Sequence, residues 1–110
     1  MKNRKPGSRR ESTVIPGKPK RLEWSPKADD DRFQAWLYIA ADNPLAADRV
    51  LERIERLAES LRHHPLMGQR GRIPATREMP VPDTPFLLIY RVTAHAVRIG
   101  RVLHHARRFP

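Results

Sequence analysis

The sequence predicts an α+β fold in the order β-α-α-β-β-β, with a helical hairpin packed on one face of a small antiparallel sheet. Three observations point to it. Ser25-Pro26 and Asn43-Pro44 are two helix-start signals, each a capping side chain followed by proline at the first helical position. Between residues 33 and 61 apolar residues recur at helical spacing. From residue 76 onward the pattern changes to short aliphatic and β-branched runs broken by turn residues.

Each element follows from its own residues. Residues 21–24 read as a short strand with Leu22 and Trp24 on one face. The first helix starts at Pro26, and Asp29, Asp30 and Asp31 lie near its N-terminus, where the helix dipole favours anions. Phe33, Trp36, Leu37 and Ala40 form its apolar stripe, and Asp42-Asn43-Pro44 ends it. The second helix covers residues 44–62, with Ala47, Val50, Leu51, Ile54, Leu57, Ala58 and Leu61 as its stripe and Glu52–Arg56 as an i, i+4 pair. So short a connection predicts antiparallel packing of the two helices. Residues 63–72 read as a loop, broken by Pro65, Gly68 and Gly71. Residues 76–81, 86–92 and 96–103 read as strands, the middle one most apolar and therefore central, with turns at 82–85 and 93–95.

Composition narrows the classes. The length of 110 residues suits one domain, placed at residues 20–110 behind a basic disordered tail at 1–19. The chain has no cysteine, which excludes disulfides, thiol nucleophiles and thiolate metal sites. No apolar run approaches the roughly 20 residues that span a bilayer, so no membrane partner is expected. The N-terminus lacks the apolar stretch of a signal peptide, and the expected location is the cytoplasm. The net charge of +10 is unevenly spread. Residues 1–21 hold eight cations and one anion, residues 22–61 five cations and nine anions, and residues 62–110 nine arginines against Glu78 and Asp83. A basic surface of this kind attracts phosphates or an acidic protein.

Taken together, the residues resemble the RelE/ParE toxins of type II toxin–antitoxin systems, and the ParE/StbE-like branch most closely. The resemblance covers about residues 20–110. It is carried by Leu22-Glu23-Trp24-Ser25-Pro26 with Ala28, Asn43-Pro44 with Ala46-Ala47, and Leu61 with Pro65 and Gly68. It continues through Arg70-Gly71, Thr76-Arg77-Glu78, Pro85-Phe86, Ile89-Tyr90-Arg91-Val92, Val102-Leu103-His104 and Arg107-Arg108-Phe109-Pro110. It implies a RelE/ParE-like fold, growth inhibition, a cognate antitoxin partner and a toxin–antitoxin hetero-oligomer. RelE-like members of the superfamily cut mRNA in the ribosome, whereas ParE-like members poison DNA gyrase, so fold alone leaves the target open.

RNA cleavage through its own 2′-hydroxyl needs a base, cations for the phosphate and an acid for the leaving oxygen. RelE-like nucleases draw on lysines for this, yet from residue 21 onward the only lysine is Lys27. A nuclease here would rely on His104 or His105, since histidine titrates near neutral pH, with Arg77 and Arg101 on the phosphate. Arg70, Arg72, Arg91, Arg98, Arg107 and Arg108 are further candidates for phosphate or target binding. Glu78 is expected to pair with Arg91 or Arg101 across the sheet, and Arg77 to point to the opposite face. Tyr90 reads as a core residue with a satisfied hydroxyl. His63-His64 has no acidic or thiolate ligand beside it, so no metal and no cofactor is expected. For the antitoxin, the apolar hairpin offers Trp36 and Leu37, and the basic sheet offers Arg77 and Arg101. The scarcity of lysines favours a ParE-like toxin that acts by binding, and the resemblance implies DNA gyrase as its target. The enzymatic alternative is a ribosome-dependent mRNA endonuclease. A single-stranded nucleic-acid module is disfavoured, because Phe86 and Tyr90 lie in an apolar strand rather than among cations.

Overall fold

A computed structural model describes residues 18–105. Most of the proposed tail, and Arg107 and Arg108, lie outside the described residues. The elements are β1 (Arg21–Trp24), α1 (Pro26–Ala40), α2 (Pro44–His63), β2 (Gln69–Arg70), β3 (Arg77–Pro80), β4 (Phe86–Val92) and β5 (Ala96–His104). Both helix starts are capped as their residues dictate. Ser25 Oγ accepts from the Ala28 N–H at 3.0 Å, and Asn43 Oδ1 accepts from the Ala46 N–H at 3.1 Å. Glu52 and Arg56 form their ion pair at 3.6 Å.

The sheet has five strands in the order β1-β5-β4-β3-β2, and it is mixed rather than antiparallel. β1 pairs with β5 in parallel, Leu22 opposite Val97 and Trp24 opposite Ile99. The reason is directional. The hairpin returns the chain to the end where β1 began, shown by the Lys20 N–H donating to the Arg62 carbonyl at 3.1 Å. β3 therefore sets off in the direction of β1, and two antiparallel reversals leave β5 pointing the same way. The loop predicted over residues 63–72 also contains β2, a two-residue edge strand against β3.

β5 changes phase along its length. Tyr90 lies opposite Ile99 and Ile89 opposite Arg101, which leaves Gly100 as an unmatched extra residue, a β-bulge. Without it, simple alternation would put Arg101 and Leu103 in the core and Val102 outside. With it, Val97, Ile99 and Val102 all join Phe86, Leu88 and Tyr90 on the face that meets the helices. Tyr90 is wholly buried, and its hydroxyl donates to the Pro65 carbonyl at 2.8 Å and accepts from the Gly68 N–H at 2.9 Å. A Cβ at position 68 would stand 2.6 Å from that hydroxyl, so the contact requires glycine.

The two helices divide the packing unequally. α2 buries Ala47, Ile54, Leu57, Ala58 and Leu61, five of the seven residues of its predicted stripe, and half-buries Val50 and Leu51. The predicted stripe of α1 is a correction. Its buried residues are Ala28 and Ala35, whereas Phe33 is 57% exposed and Leu37 43% exposed. Small residues let the backbone of α1 approach β5 and α2 closely; of the predicted stripe, Phe33 and Leu37 turn outward while Trp36 and Ala40 are half-buried.

Candidate functional site

Two surfaces hold the residues singled out in the sequence. The first is the outer side of the hairpin. Asp29, Arg32, Phe33, Trp36, Leu51 and Glu55 line an open groove of about 460 Å³ between α1 and α2. Its apolar floor comes from the outward-facing α1 stripe. Trp36 is held in place by its indole N–H, which donates to Asp48 Oδ1 at 2.8 Å. Arg32 ties the rim together: it pairs with Asp29 and with Glu55 (3.2 Å), and its guanidinium lies 3.8 Å over the Trp24 ring. Leu37 stands one turn beyond Phe33 on the same helix, also exposed. The groove is therefore apolar at the base and rimmed by two carboxylates and one arginine.

The second surface is the sheet. Alternation and register put Arg77 on the helix-packed face, in the row of Tyr90 and Ile99, and Glu78 on the other. Their opposition matches expectation. The expected partner of Glu78 does not. Glu78 pairs neither with Arg91 nor with Arg101 but with Arg72, from its Nη2 at 3.2 Å, and accepts the Arg72 backbone N–H at 2.9 Å. Burial pushes the Glu78 carboxyl up, but the hydrogen bonds from the Arg72 backbone and side chain and the Arg72 charge together outweigh it. The net result is a carboxyl held below its ordinary range. The loop between β2 and β3 lies closer to Glu78 than the cross-strand arginines, and only its folded shape reveals that.

Arg101 has a different partner again. Its Nε donates to Asp31 Oδ2 at 2.8 Å and its Nη2 to Oδ1 at 3.2 Å, and the Val102 N–H donates to the same carboxylate at 2.8 Å. The hydrogen bond to Asp31 raises the Arg101 pKa above its ordinary value, against a smaller opposing effect of burial. β1 ends at Trp24, which leaves the edge of β5 beyond Ile99 without a strand partner. The Ser25 hydroxyl, donating to the Gly100 carbonyl at 2.8 Å, and then Asp31 take its place. Asp31 was read from the sequence only as a dipole partner of its helix. Its role as an edge substitute depends on residues 70 positions away, which no local pattern signals.

The histidines sit elsewhere. His104 packs edge-on against Phe86 (5.5 Å between centroids) and Tyr38 (6.2 Å). His105 is exposed, and its Nε2 lies 3.2 Å from the Phe86 carbonyl oxygen. His104 lies opposite Phe86 and Arg77 opposite Tyr90, four residues along β4, or about 13 Å. Arg77 itself donates to the Gly68 carbonyl at 2.7 Å. The structure thus does not gather His104, His105, Arg77 and Arg101 into one cluster. Tyr90 has its pKa raised by burial, countered by the Gly68 N–H and the charge of Arg77.

The remaining cations are spread. Arg91 and Arg98 are exposed and lie directly opposite each other on the face away from the helices. Arg70 is exposed on β2. His63 and His64 stand 6.5 Å apart, and no group of three or more His, Asp or Glu among the described residues is placed to hold a metal ion. No helix among them is long and apolar enough to cross a membrane.

Comparison with known proteins agrees with this architecture. The chain matches, over residues 22–109, the family described as the ParE toxin of the type II toxin–antitoxin system, parDE. It is 35% identical over 91 residues to Y4kP of Sinorhizobium fredii, which carries a toxin designation, covering 83% of this chain and 94% of that one. It is 35% identical over 85 residues to Toxin RelE2 of Caulobacter vibrioides, covering 76% and 93%. A solved structure from the chromosomal ParDE system of P. aeruginosa superposes with a TM-score of 0.70 at 22% identity, covering 77% of this chain and 95% of that one. The last is a likeness of fold. A family match over so much of the chain, joined to relatives of this identity, is decisive: the chain belongs to the ParE toxin family of type II toxin–antitoxin systems.

Proposed function

We propose that this toxin arrests growth in the ParE-like manner, by binding DNA gyrase, and that a cognate antitoxin neutralises it by laying an amphipathic segment in the groove between α1 and α2. One observation carries the choice of mechanism. The candidate side chains are tied to separate partners: Arg101 to Asp31, Arg77 to the Gly68 carbonyl, His104 to the rings of Tyr38 and Phe86, and His105 to the Phe86 carbonyl. Cleavage needs base, acid and cation within hydrogen-bond reach of one phosphate. A binding toxin needs only a surface. The antitoxin reading is supported by Phe33 and Leu37, exposed at i, i+4 spacing, and by the half-buried Trp36, which with Phe33 lines an apolar groove.

The rival is a ribosome-dependent mRNA endonuclease using His104 or His105 with Arg77 and Arg101. The similarity to a relative named Toxin RelE2 favours it. The two part cleanly on induction without antitoxin. The gyrase reading expects early arrest of DNA synthesis and a DNA-damage response with intact mRNA. Early translation arrest with cut mRNA, abolished in His104→Ala or His105→Ala, would replace it with the nuclease.

A further inference from the structure

The sheet face turned away from the helices carries a charge arrangement that neither the groove nor the dispersed histidines use. Register puts Glu23, Arg98 and Arg91 side by side on β1, β5 and β4. Arg98 and Arg91 are like charges directly opposite each other, an arrangement that opposes pairing unless something negative lies across it. Glu23 is the single carboxylate bonded to this row among the described residues. It is shared between Arg98 at 3.3 Å and Arg21 at 3.4 Å. Arg91 donates to the Pro74 carbonyl at 3.2 Å, a neutral partner. Lys20 adds a fixed ammonium at the same end, its Nζ 2.9 Å from the carbonyls of both Thr93 and Ala94. Lys18 is exposed just before it. Residues 1–17, which lie outside the described residues, hold five further cations against one glutamate in sequence.

We propose that this end of the molecule binds the phosphate backbone of duplex DNA without sequence preference. The surface selects among polyanions by what it lacks. Single-stranded nucleic acid is held by aromatic rings that stack on bases. Here Trp24, Phe86 and Tyr90 all belong to rows on the opposite, helix-packed face. An acidic protein needs an apolar anchor in the contact. On this face Leu87 and Ile89 are 7% and 3% exposed, and the half-buried Leu103 lies opposite Leu87 at the far end of β5, so none stands exposed beside the arginine row. What remains is a set of guanidinium and ammonium groups around the one carboxylate of Glu23, which suits the regular charge of a duplex. The groove on the hairpin lies on the other side of the molecule, so an antitoxin seated there leaves this face open. The inference holds whether the cellular target is gyrase or the ribosome.

The test uses the full chain freed of antitoxin, titrated into a fluorescently labelled 20-base-pair duplex of arbitrary sequence. Binding should weaken as salt rises, with a log–log slope of about −3 to −5. Arg91→Gln with Arg98→Gln should weaken binding at least 10-fold at fixed low salt and lower the slope by about 2. Both residues are exposed, so an unchanged thermal melting curve confirms that the fold survives. The same pair placed in a chain lacking residues 1–17 should again weaken binding, which separates the sheet from the tail. An unchanged affinity in the double variant overturns the proposal, and so does salt-independent binding. Tighter binding to a single strand of equal length, or binding to polyglutamate with none to DNA, overturns it as well.

Discussion

α1 and α2 form one hairpin, and each carries an apolar stripe at helical spacing, yet only α2 turns its stripe into the core. Ile54, Leu57 and Leu61 are buried against the sheet, while Phe33 and Leu37 on α1 stand in solvent beside the groove. α1 is held instead by Ala28 and Ala35 at close approach and by Asp31 on the edge of β5. The difference separates two uses of hydrophobic residues. On α2 they stabilise the fold. On α1 they form an exposed apolar surface, the one proposed above for the antitoxin.

Substitutions that remove the same chemistry from the two helices test that division. The largest effect on stability is expected at Leu61, which has no exposed surface. Leu61→Ala removes buried methyl groups and leaves a cavity, and should lower the unfolding free energy by about 2–5 kcal/mol in urea titrations. Leu37→Ala removes the same groups from a position 43% exposed. Equal losses at the two positions would erase the distinction.

Asp31 comes next. It is a polar residue through which α1 holds the edge of β5, with side-chain exposure of 14% against 24% for Arg101. Asp31→Ala leaves the Val102 N–H and the Arg101 guanidinium without their acceptor. A loss of about 1–3 kcal/mol is expected, since an orphaned donor costs more than the bond it made. Asp31→Asn keeps an oxygen for Val102 and should recover part of it. If Asp31→Ala is neutral, α1 is docked by its alanines alone.

Much of this fold was legible because its signals are local. Ser25-Pro26 and Asn43-Pro44 located both helix starts to the residue, and the apolar run of β4 announced the central strand. What escaped was set by partners far along the chain. The parallel pairing of β1 joins residues 21–24 to 96–99, and its direction follows from how many times the chain reverses between them. The inward face of α1 was missed because alanine contributes little to an apolar pattern, although it permits the closest approach. The phase shift at Gly100 hid the core role of Val102. On the candidate site, Trp36 and Leu37 were legible as apolar residues on a helix, whereas the partners of Glu78 and Arg101 were not, because charge pairing leaves no periodic trace.

A smaller effect is expected at Glu78, whose side chain lies on the sheet face away from the helices. Its folded pKa lies below its ordinary value of 4.5. Its ionised form therefore adds stability above pH 4.5, and that contribution disappears as pH falls through the lower folded value. Glu78→Gln should cost less than about 1 kcal/mol at neutral pH, and should flatten the stability profile below pH 4.5 relative to the parent. An acid limb as steep as the parent's would mean that the Arg72 clamp plays no part in it. The measurement reports on the sheet alone and should be additive with Leu61→Ala, since the two residues share no partner.

The smallest stability effect is expected where the consequence for binding is greatest. Phe33→Ser with Leu37→Ser removes two large apolar side chains from α1, both already in water and neither in the buried core. Exposed apolar groups gain little from folding, so the free chain should keep its unfolding free energy within about 1 kcal/mol. In an antitoxin complex the same two side chains would be desolvated against an apolar face, and truncation of such anchors costs about 1–2 kcal/mol each. Antitoxin affinity should then fall at least 10-fold, read by calorimetry with purified partners, while induction toxicity persists. A chain that loses stability but binds the antitoxin unchanged would place the anchor elsewhere. It would also mean that α1, like α2, spends its stripe on holding the fold together.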